Sequence, residues 1–265
     1  MLASQRQAII LEQVRRQGAV RVSDLTDMLG VSDMTIRRDL DALARRGGLE
    51  KVHGGATLLG MSSAAEPGFE MKSHQEQPEK DGIAQRAATL VTPGGAIGIG
   101  AGTTTWALAR LLVDVPNLTV VTNSVPVADI LHNARRPDHT VVLTGGIRTR
   151  SDALVGPVAV SVIRSLHLDL LFLGTHGMDG RGGLTSPNLM EAETNRAFIE
   201  ATRRLVVVAD HTKWGVVGLS SFARLDEVDV LVTDSRLDDG ARPVLDEAVG
   251  ELVLVEVPER PAETG

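Results

Sequence analysis

Two sets of side chains in this sequence have the types and spacing for chemistry, and both suit the binding of anions. The first lies in residues 31–56, VSDMTIRRDLDALARRGGLEKVHGGA. At helical spacing Ile36, Leu40 and Leu43 form one apolar stripe. Met34, Arg38, Asp41 and Arg45 face the other way, with Thr35 and Arg37 on the shoulders. A hydroxyl and two guanidinium groups near the start of an amphipathic rod are equipment for reading DNA, because arginine can bond guanine through two donors and phosphate through any of them. At ~1.5 Å per residue the rod is ~20 Å long, enough to cross a major groove ~12 Å wide. A solvated charged helix face is the competing reading.

The second set is scattered over the C-terminal two thirds. It comprises Gly102, Thr103, Thr104 and Thr105; Asn123 and Ser124; Gly145, Gly146 and Arg148; His176; Glu191, Asn195 and Arg196; and Lys213. A helix opening at Thr103 would present free N–H groups and a positive dipole end to an anion. The glycine spacing does not fit G-x-G-x-x-G, since position 103 is threonine, and a P-loop lysine is missing. That disfavours dinucleotides and nucleoside triphosphates and leaves a phosphate or carboxylate. Taken singly, each cluster is an ordinary turn or cap, Glu191 and Glu193 are acids suited to a helix start, and Lys213 is a surface cation. Their accumulation is the argument. There is no cysteine and no H-E-x-x-H pattern, so no metal site, cofactor or catalytic residue is assigned. His132, His139 and His167 read as solvated.

These residues need elements to position them. Residues 4–17 read as a helix carrying Ile10 and Val14 and stopped by Gly18; Val20 and Val22 flank Arg21 in a short strand. Ser23-Asp24 opens a second helix in which Leu25, Met28 and Leu29 share a face, and Gly30 ends it. The turn Gly30-Val31-Ser32 leads into the arginine-bearing helix, capped by Ser32 or Asp33 and closed by Gly47-Gly48. This is a helix-turn-helix pattern. Residues 49–59 then read as two strands around Gly54-Gly55, a wing that brings Lys51 and His53 to phosphate or the minor groove. The candidate DNA contacts are therefore Ser32, Met34, Thr35, Arg37, Arg38, Lys51 and His53, although His53 also fits as a turn residue.

Residues 60–82 lose periodicity and read as a connector with Phe69 and Met71 as anchors. Beyond it, apolar runs at 95–100, 118–123, 140–145, 168–174, 205–210, 228–234 and 251–257 alternate with helical stretches at 103–112, 125–134, 157–166, 191–202 and 241–249. The expected fold is α/β: a winged helix-turn-helix followed by a doubly wound, mostly parallel sheet. The expected limits are 1–58 for the head, 59–80 for the connector, 81–258 for the body and 259–265 for a tail. In such sheets ligands sit beyond the carboxyl ends of the strands.

Charge divides the same way. The net charge is −7, but residues 1–60 hold nine Lys/Arg against seven Asp/Glu, leaving a body at net −9 that DNA would repel. Aromatic content of 2% without tyrosine argues against base stacking on single strands. Without cysteine, a run of ~18 apolar residues or an export signal, the expected location is the cytoplasm, away from membranes.

The segments RQAII (6–10), GVS (30–32), TIRRDLDAL (35–43) and VHGGA (52–56) resemble the winged helix-turn-helix of DeoR-type bacterial transcription regulators, over nearly all of the first 58 residues. GTTT (102–105), TNS (122–124) and the helix with Glu191-Ala192 and Asn195-Arg196 resemble the family's sensor domain over most of 80–235, a domain similar to sugar-phosphate isomerase and CoA-transferase folds. The resemblance implies a repressor acting on double-stranded operator DNA as a dimer or higher homo-oligomer. It implies control of sugar or amino-sugar catabolism by a phosphorylated sugar-like effector, with a hinge in the connector. Three positions depart from the family. Gly100 and His176 stand where aspartates are common, and Asn195 where lysine is usual. These losses argue against acid–base isomerase chemistry, and Asn-Arg is similar to members that respond to amino-sugar phosphates. The rival is a sugar-phosphate isomerase- or transferase-like enzyme with an accessory DNA-binding head. A non-specific architectural DNA binder fits poorly with the acidic body.

Overall fold

Apolar spacing and glycine placement build the N-terminal unit, residues 1–65. A computed structural model describes residues 2–17, 19–45, 49–52, 54–57, 69–73 and 75–257. Here α1 (Ala3–Gln17), β1 (Ala19–Arg21), α2 (Val22–Leu29), α3 (Asp33–Arg45), β2 (Glu50–Val52) and β3 (Gly55–Thr57) enclose Ile10, Val14, Leu25, Ile36 and Leu40. Gly30, at φ 61°, ends α2 and donates its N–H to the Thr26 carbonyl at 3.0 Å, a backbone conformation that glycine adopts without strain. β2 and β3 form an antiparallel hairpin, and β1 joins β3 to give the order β1-β3-β2. A Cβ on Gly55 would overlap the Val20 carbonyl, so the wing docks on β1 only through a glycine.

Two sequence expectations change. Val22 opens α2 instead of extending the strand, and Met28 is 47% exposed. The inward row of this two-turn helix is Val22, Leu25 and Leu29, which leaves Met28 to one side. Gly18, Gly47-Gly48 and His53 lie outside the described residues, as do residues 58–68 and 258–265.

The second unit, residues 66–265, contains α4 (Phe69–Ser73), α5 (Gln77–Ala88), β4 (Ala96–Ile99), α6 (Thr103–Leu112), β5 (Thr119–Thr122), α7 (Val125–Asn133), β6 (Thr140–Leu143), β7 (Ile147–Arg148), β8 (Leu154–Val155), α8 (Pro157–Arg164), β9 (Leu170–Leu173), β10 (Gly177–Asp179), β11 (Gly183–Ser186), α9 (Leu189–Glu200), β12 (Leu205–Val208), β13 (Ser220–Ala223), β14 (Val230–Asp234), α10 (Ala241–Ala248) and β15 (Leu252–Val255). The seven apolar runs form one sheet in the order β15-β14-β12-β9-β4-β5-β6, every pairing parallel. One core cluster packs around Ile97, Leu108 and Phe172, and a second around Leu171, Phe198 and Val207. Neighbours along β9 and β12 thus bury opposite faces, as a doubly wound α/β sheet requires.

The chain runs outward from β4 through β5 to β6 and then crosses back to place β9 on the other side of β4. Strand order therefore reverses between β4 and β9, and their carboxyl ends frame a crevice. Three features differ from expectation. α5 already begins at Gln77, inside the stretch read as connector, with proline in its first turn. α4 precedes it, and the connections after β9 and β12 hold a small antiparallel sheet, β10-β11-β13, whose short strands lack apolar alternation.

Candidate nucleic-acid interface and anion cleft

In the N-terminal unit the apolar stripe fixes how α3 presents its other face. Ile36, Leu40 and Leu43 are buried. Asp39, on the same helix, is also buried and accepts from Arg6 Nε at 2.5 Å and Gln7 Nε2 at 2.9 Å, clamping α1 to α3. The outer face carries Ser32, Met34, Arg37 and Arg38, all exposed, and Thr35, whose Oγ1 lies 3.0 Å from Ser32 Oγ. Asp33 does not serve as a simple cap: its carboxylate accepts from the Arg37 guanidinium one turn on. That bond holds the Asp33 carboxyl below the ordinary range and raises Arg37. Lys51 reaches from β2 to Asp41 of α3 at 2.6 Å, so the wing lysine is tied to the helix beside it. Both pairs are about half exposed, and exposed pairs of this kind contribute little to stability. A phosphate can therefore replace either carboxylate at small cost.

In the C-terminal unit the crevice between β4 and β9 is a cleft. Ala101, Gly102, Thr103 and Thr104 enter it after β4, Gly174, Thr175 and His176 after β9, and Val208, Ala209 and Lys213 after β12. Ser186 and Phe222 come from the antiparallel sheet, Glu191 and Asn195 from α9, Ser151 from the β7–β8 loop, and Phe69 and Lys72 from α4. Gly102 starts α6 without a side-chain cap, leaving first-turn N–H groups for an anion.

The strand order explains which expected residues meet there. Gly102, Thr103, Thr104, His176, Glu191, Asn195 and Lys213 line the cleft. The polar clusters after β5 and β6 stand one and two strands away on the far side of β4, at ~4.8 Å per strand. Asn123 accepts from the Ala101 N–H at 3.0 Å and donates to the Leu154 carbonyl at 3.1 Å, so it shapes the β4 loop from behind. Ser124 caps α7 by accepting from the Val127 N–H. Thr105 is buried and donates to the Gly102 carbonyl at 3.0 Å. Gly145 and Gly146, at φ 73° and 120°, turn the chain from β6 into β7, and Arg148 pairs with Asp152. Arg196 is engaged by Glu227 at 2.5 Å and Glu200 at 3.2 Å. None of these seven is among the cleft's lining residues.

The pairs around the cleft are pre-arranged. Asp210, fully buried, faces Lys213 at 3.8 Å and accepts from the Thr212 hydroxyl. Burial alone would raise its carboxyl, but Lys213, Thr212 and Lys80 together hold it lowered. Burial pushes Lys80 down to about 8 against the pull of Asp210. Burial, then the charges of Lys72 and Lys213, push the His176 imidazole down to about 3, so it is neutral at physiological pH. Glu191 accepts from Thr149 at 2.8 Å, Ser186 at 3.3 Å and Ser151. Around an incoming anion the cleft thus offers two ammonium groups, a neutral imidazole and threonine hydroxyls. Gly100 contributes no acid: it is buried, and a Cβ there would overlap Leu173 Cδ2. Among the described residues no group of three or more His, Cys, Asp or Glu could hold a metal ion, and no helix is long and apolar enough to cross a membrane.

Sequence reasoning missed Lys72, Ser151, Thr175 and Ser186, and it read Phe69 as an anchor of the connector and not as part of the cleft. Pro78 followed by Ile83, Ala84 and Ala87 marks α5 inside the apparent connector, but no such pattern marks α4, which carries Lys72. His139 is half-buried and not a freely solvated surface residue: its Nε2 lies 2.6 Å from the Val115 carbonyl.

Comparison with known proteins meets this geometry at both ends of the chain. Residues 6–60 match the model of a DeoR-like helix-turn-helix domain, and residues 75–235 match that of the DeoR C terminal sensor domain. The HTH-type transcriptional regulator GlpR of Haloferax volcanii is 39% identical over 94% of this chain and 96% of its own. The glycerol-3-phosphate regulon repressor of Escherichia coli strain K12 is 35% identical over 89% and 92%. Among solved structures, ribose 5 phosphate isomerase A from Neisseria gonorrhoeae is similar at a TM-score of 0.38 and 17% identity, over 54% of this chain and 55% of that one. The two relatives matched along nearly their whole length are a regulator and a repressor by name. The chain belongs to the DeoR family of helix-turn-helix transcriptional regulators, and it is a regulator rather than an enzyme.

Proposed function

We propose that the protein represses genes of sugar or amino-sugar catabolism and that a phosphorylated sugar-like effector modulates its grip on operator DNA. Base contacts come from Ser32, Met34, Thr35, Arg37 and Arg38, with Lys51 and His53 of the wing on the backbone. Two copies act together, because helix-turn-helix heads read half-sites about one helical turn apart. The observation that carries the effector is the position of the cleft. The uncapped start of α6 and the side chains of Thr103, Thr104 and Lys213 converge where strand order reverses. The name of the Escherichia coli relative adds a small polyol phosphate to the compounds worth testing.

The test uses the full chain and a duplex selected by it from random sequence. A panel of phosphorylated sugars, amino sugars and polyols is screened by thermal shift, then by titration of the protein–duplex complex. One compound is expected to raise the melting temperature by mass action and to change duplex affinity, which requires unequal binding to the free and DNA-bound forms. If no phosphorylated compound does either, the reading fails.

A further inference from the structure

We infer that Lys72 is itself an effector contact, so that a phosphate monoester seated in the cleft fixes α4, the first described helix after the connector. This rests on the effector reading above and extends it to the route by which the signal leaves the cleft.

α4 has five residues, far too few to persist on its own hydrogen bonds. Its place is set by outside contacts. The Phe69 ring stands edge-on to Trp106 of α6, centroids 6.0 Å apart at 86°, and Arg110 covers that indole at 5.3 Å. The Phe69 N–H donates to the Arg150 carbonyl at 3.3 Å, in the loop that carries Ser151. At the other end Lys80 Nζ donates to the carbonyls of Lys72 in α4 and of Gln75 just beyond it, at 2.5 and 2.6 Å.

Those contacts point Lys72 at the cleft, and they connect back to it. Lys80 is buried in the field of Asp210, and Asp210 faces Lys213, the second cleft lysine. The charges of Lys72 and Lys213 both act on His176, so the two ammonium groups share one small space. A phosphate monoester has three terminal oxygens, enough to accept from Lys72, Lys213 and the α6 N-terminus together; a carboxylate has two. Bound there, it removes the repulsion between the lysines and adds one more tie between α4 and the ends of β4 and β12. Because α4 follows the connector in sequence, its order is a variable that the effector controls and the N-terminal unit can sense.

Calorimetry on the full chain with inorganic phosphate and with glycerol 3-phosphate tests this, joined to hydrogen exchange over residues 69–73. Lys72→Met is expected to weaken binding of both probes about ten- to a hundredfold, as loss of a charge-assisted hydrogen bond does. Lys72→Arg, which keeps the charge, should restore most of the affinity. Probe should slow exchange over 69–73 in the wild type and in Lys72→Arg but not in Lys72→Met. Wild-type affinity in Lys72→Met, or unchanged exchange at saturating probe, overturns the inference. If Lys213→Met weakens binding and Lys72→Met does not, only the role of Lys72 falls. If the wild type binds neither probe, the inference falls, and the effector reading falls as well only if the whole phosphorylated panel is also without effect.

Discussion

The N-terminal unit and the cleft handle charge in opposite ways. In the first, the cations proposed to contact DNA lie outside: Arg37 and Arg38 are exposed, and Arg37 leans on an equally exposed Asp33. The buried pair, Arg6–Asp39, holds α1 against α3. In the cleft the charges are drawn inside, with Asp210 fully buried and Lys80 3% exposed. The proposed targets account for the contrast. A duplex is a long polyanion met at the surface, where ion release supplies affinity and an exposed arginine exchanges a carboxylate for a phosphate cheaply. A small anion must be stripped of water and enclosed, so its counter-charges have to be held in place beforehand by partners of their own.

Breaking the buried pair gives the largest effect. Asp39→Ala leaves Arg6 without its carboxylate and should destabilise the N-terminal unit by about 3–5 kcal/mol in chemical denaturation. A loss well under about 1 kcal/mol would put this pair in the same class as the exposed ones. Next comes Gly100→Asp, which puts an acid at the buried end of β4 beside the cleft but must displace Leu173, itself 1% exposed. Overpacking of that kind costs about 1–3 kcal/mol. A variant as stable as the wild type would show that the site has room after all.

The third test uses pH. His176 binds its proton near pH 3 when folded and near 6.5 when unfolded, so on acidification the unfolded chain is protonated first. Its contribution is complete above about pH 6.5 and is lost as pH falls toward 3, at up to about 1.4 kcal/mol per pH unit. His176→Gln should flatten the stability–pH curve between about pH 6 and 4, and an unchanged slope would remove His176 from the enclosed, positively charged region. The smallest effect belongs to the exposed pair: Asp33→Ala should leave the melting temperature nearly unchanged and tighten duplex binding about two- to threefold. Weaker binding would mean that Asp33 orients Arg37 for its contact.

The sequence was legible where periodicity and burial coincide. Ile36, Leu40 and Leu43 announce α3, and seven Val/Leu-rich runs announce the strands of the parallel sheet; the inner ones are apolar throughout because both their faces are buried, and the edge strands β6 and β15 carry the same apolar runs although they are partly exposed. The cleft was half legible. Gly102, Thr104 and His176 follow the two strands that end at the reversal and Lys213 follows the next strand on the β9 side, whereas Asn123 and Gly146 follow strands on the far side of β4, and strand order is set by tertiary packing that local pattern does not encode. Lys72 was hidden because α4 has no periodicity of its own and exists through contacts with Trp106, Arg150 and Lys80. Asp39 was hidden because a buried acid on a charged helix looks like one more solvated residue until Arg6 is seen beside it.

The most direct test of DNA reading by α3 is Arg38→Ala in the full chain, titrated against its selected duplex and every single-base variant of it. A loss of about 1–3 kcal/mol with preference relaxed at one base position is the predicted result. An equal loss on every sequence would reduce Arg38 to a backbone contact and contradict the account.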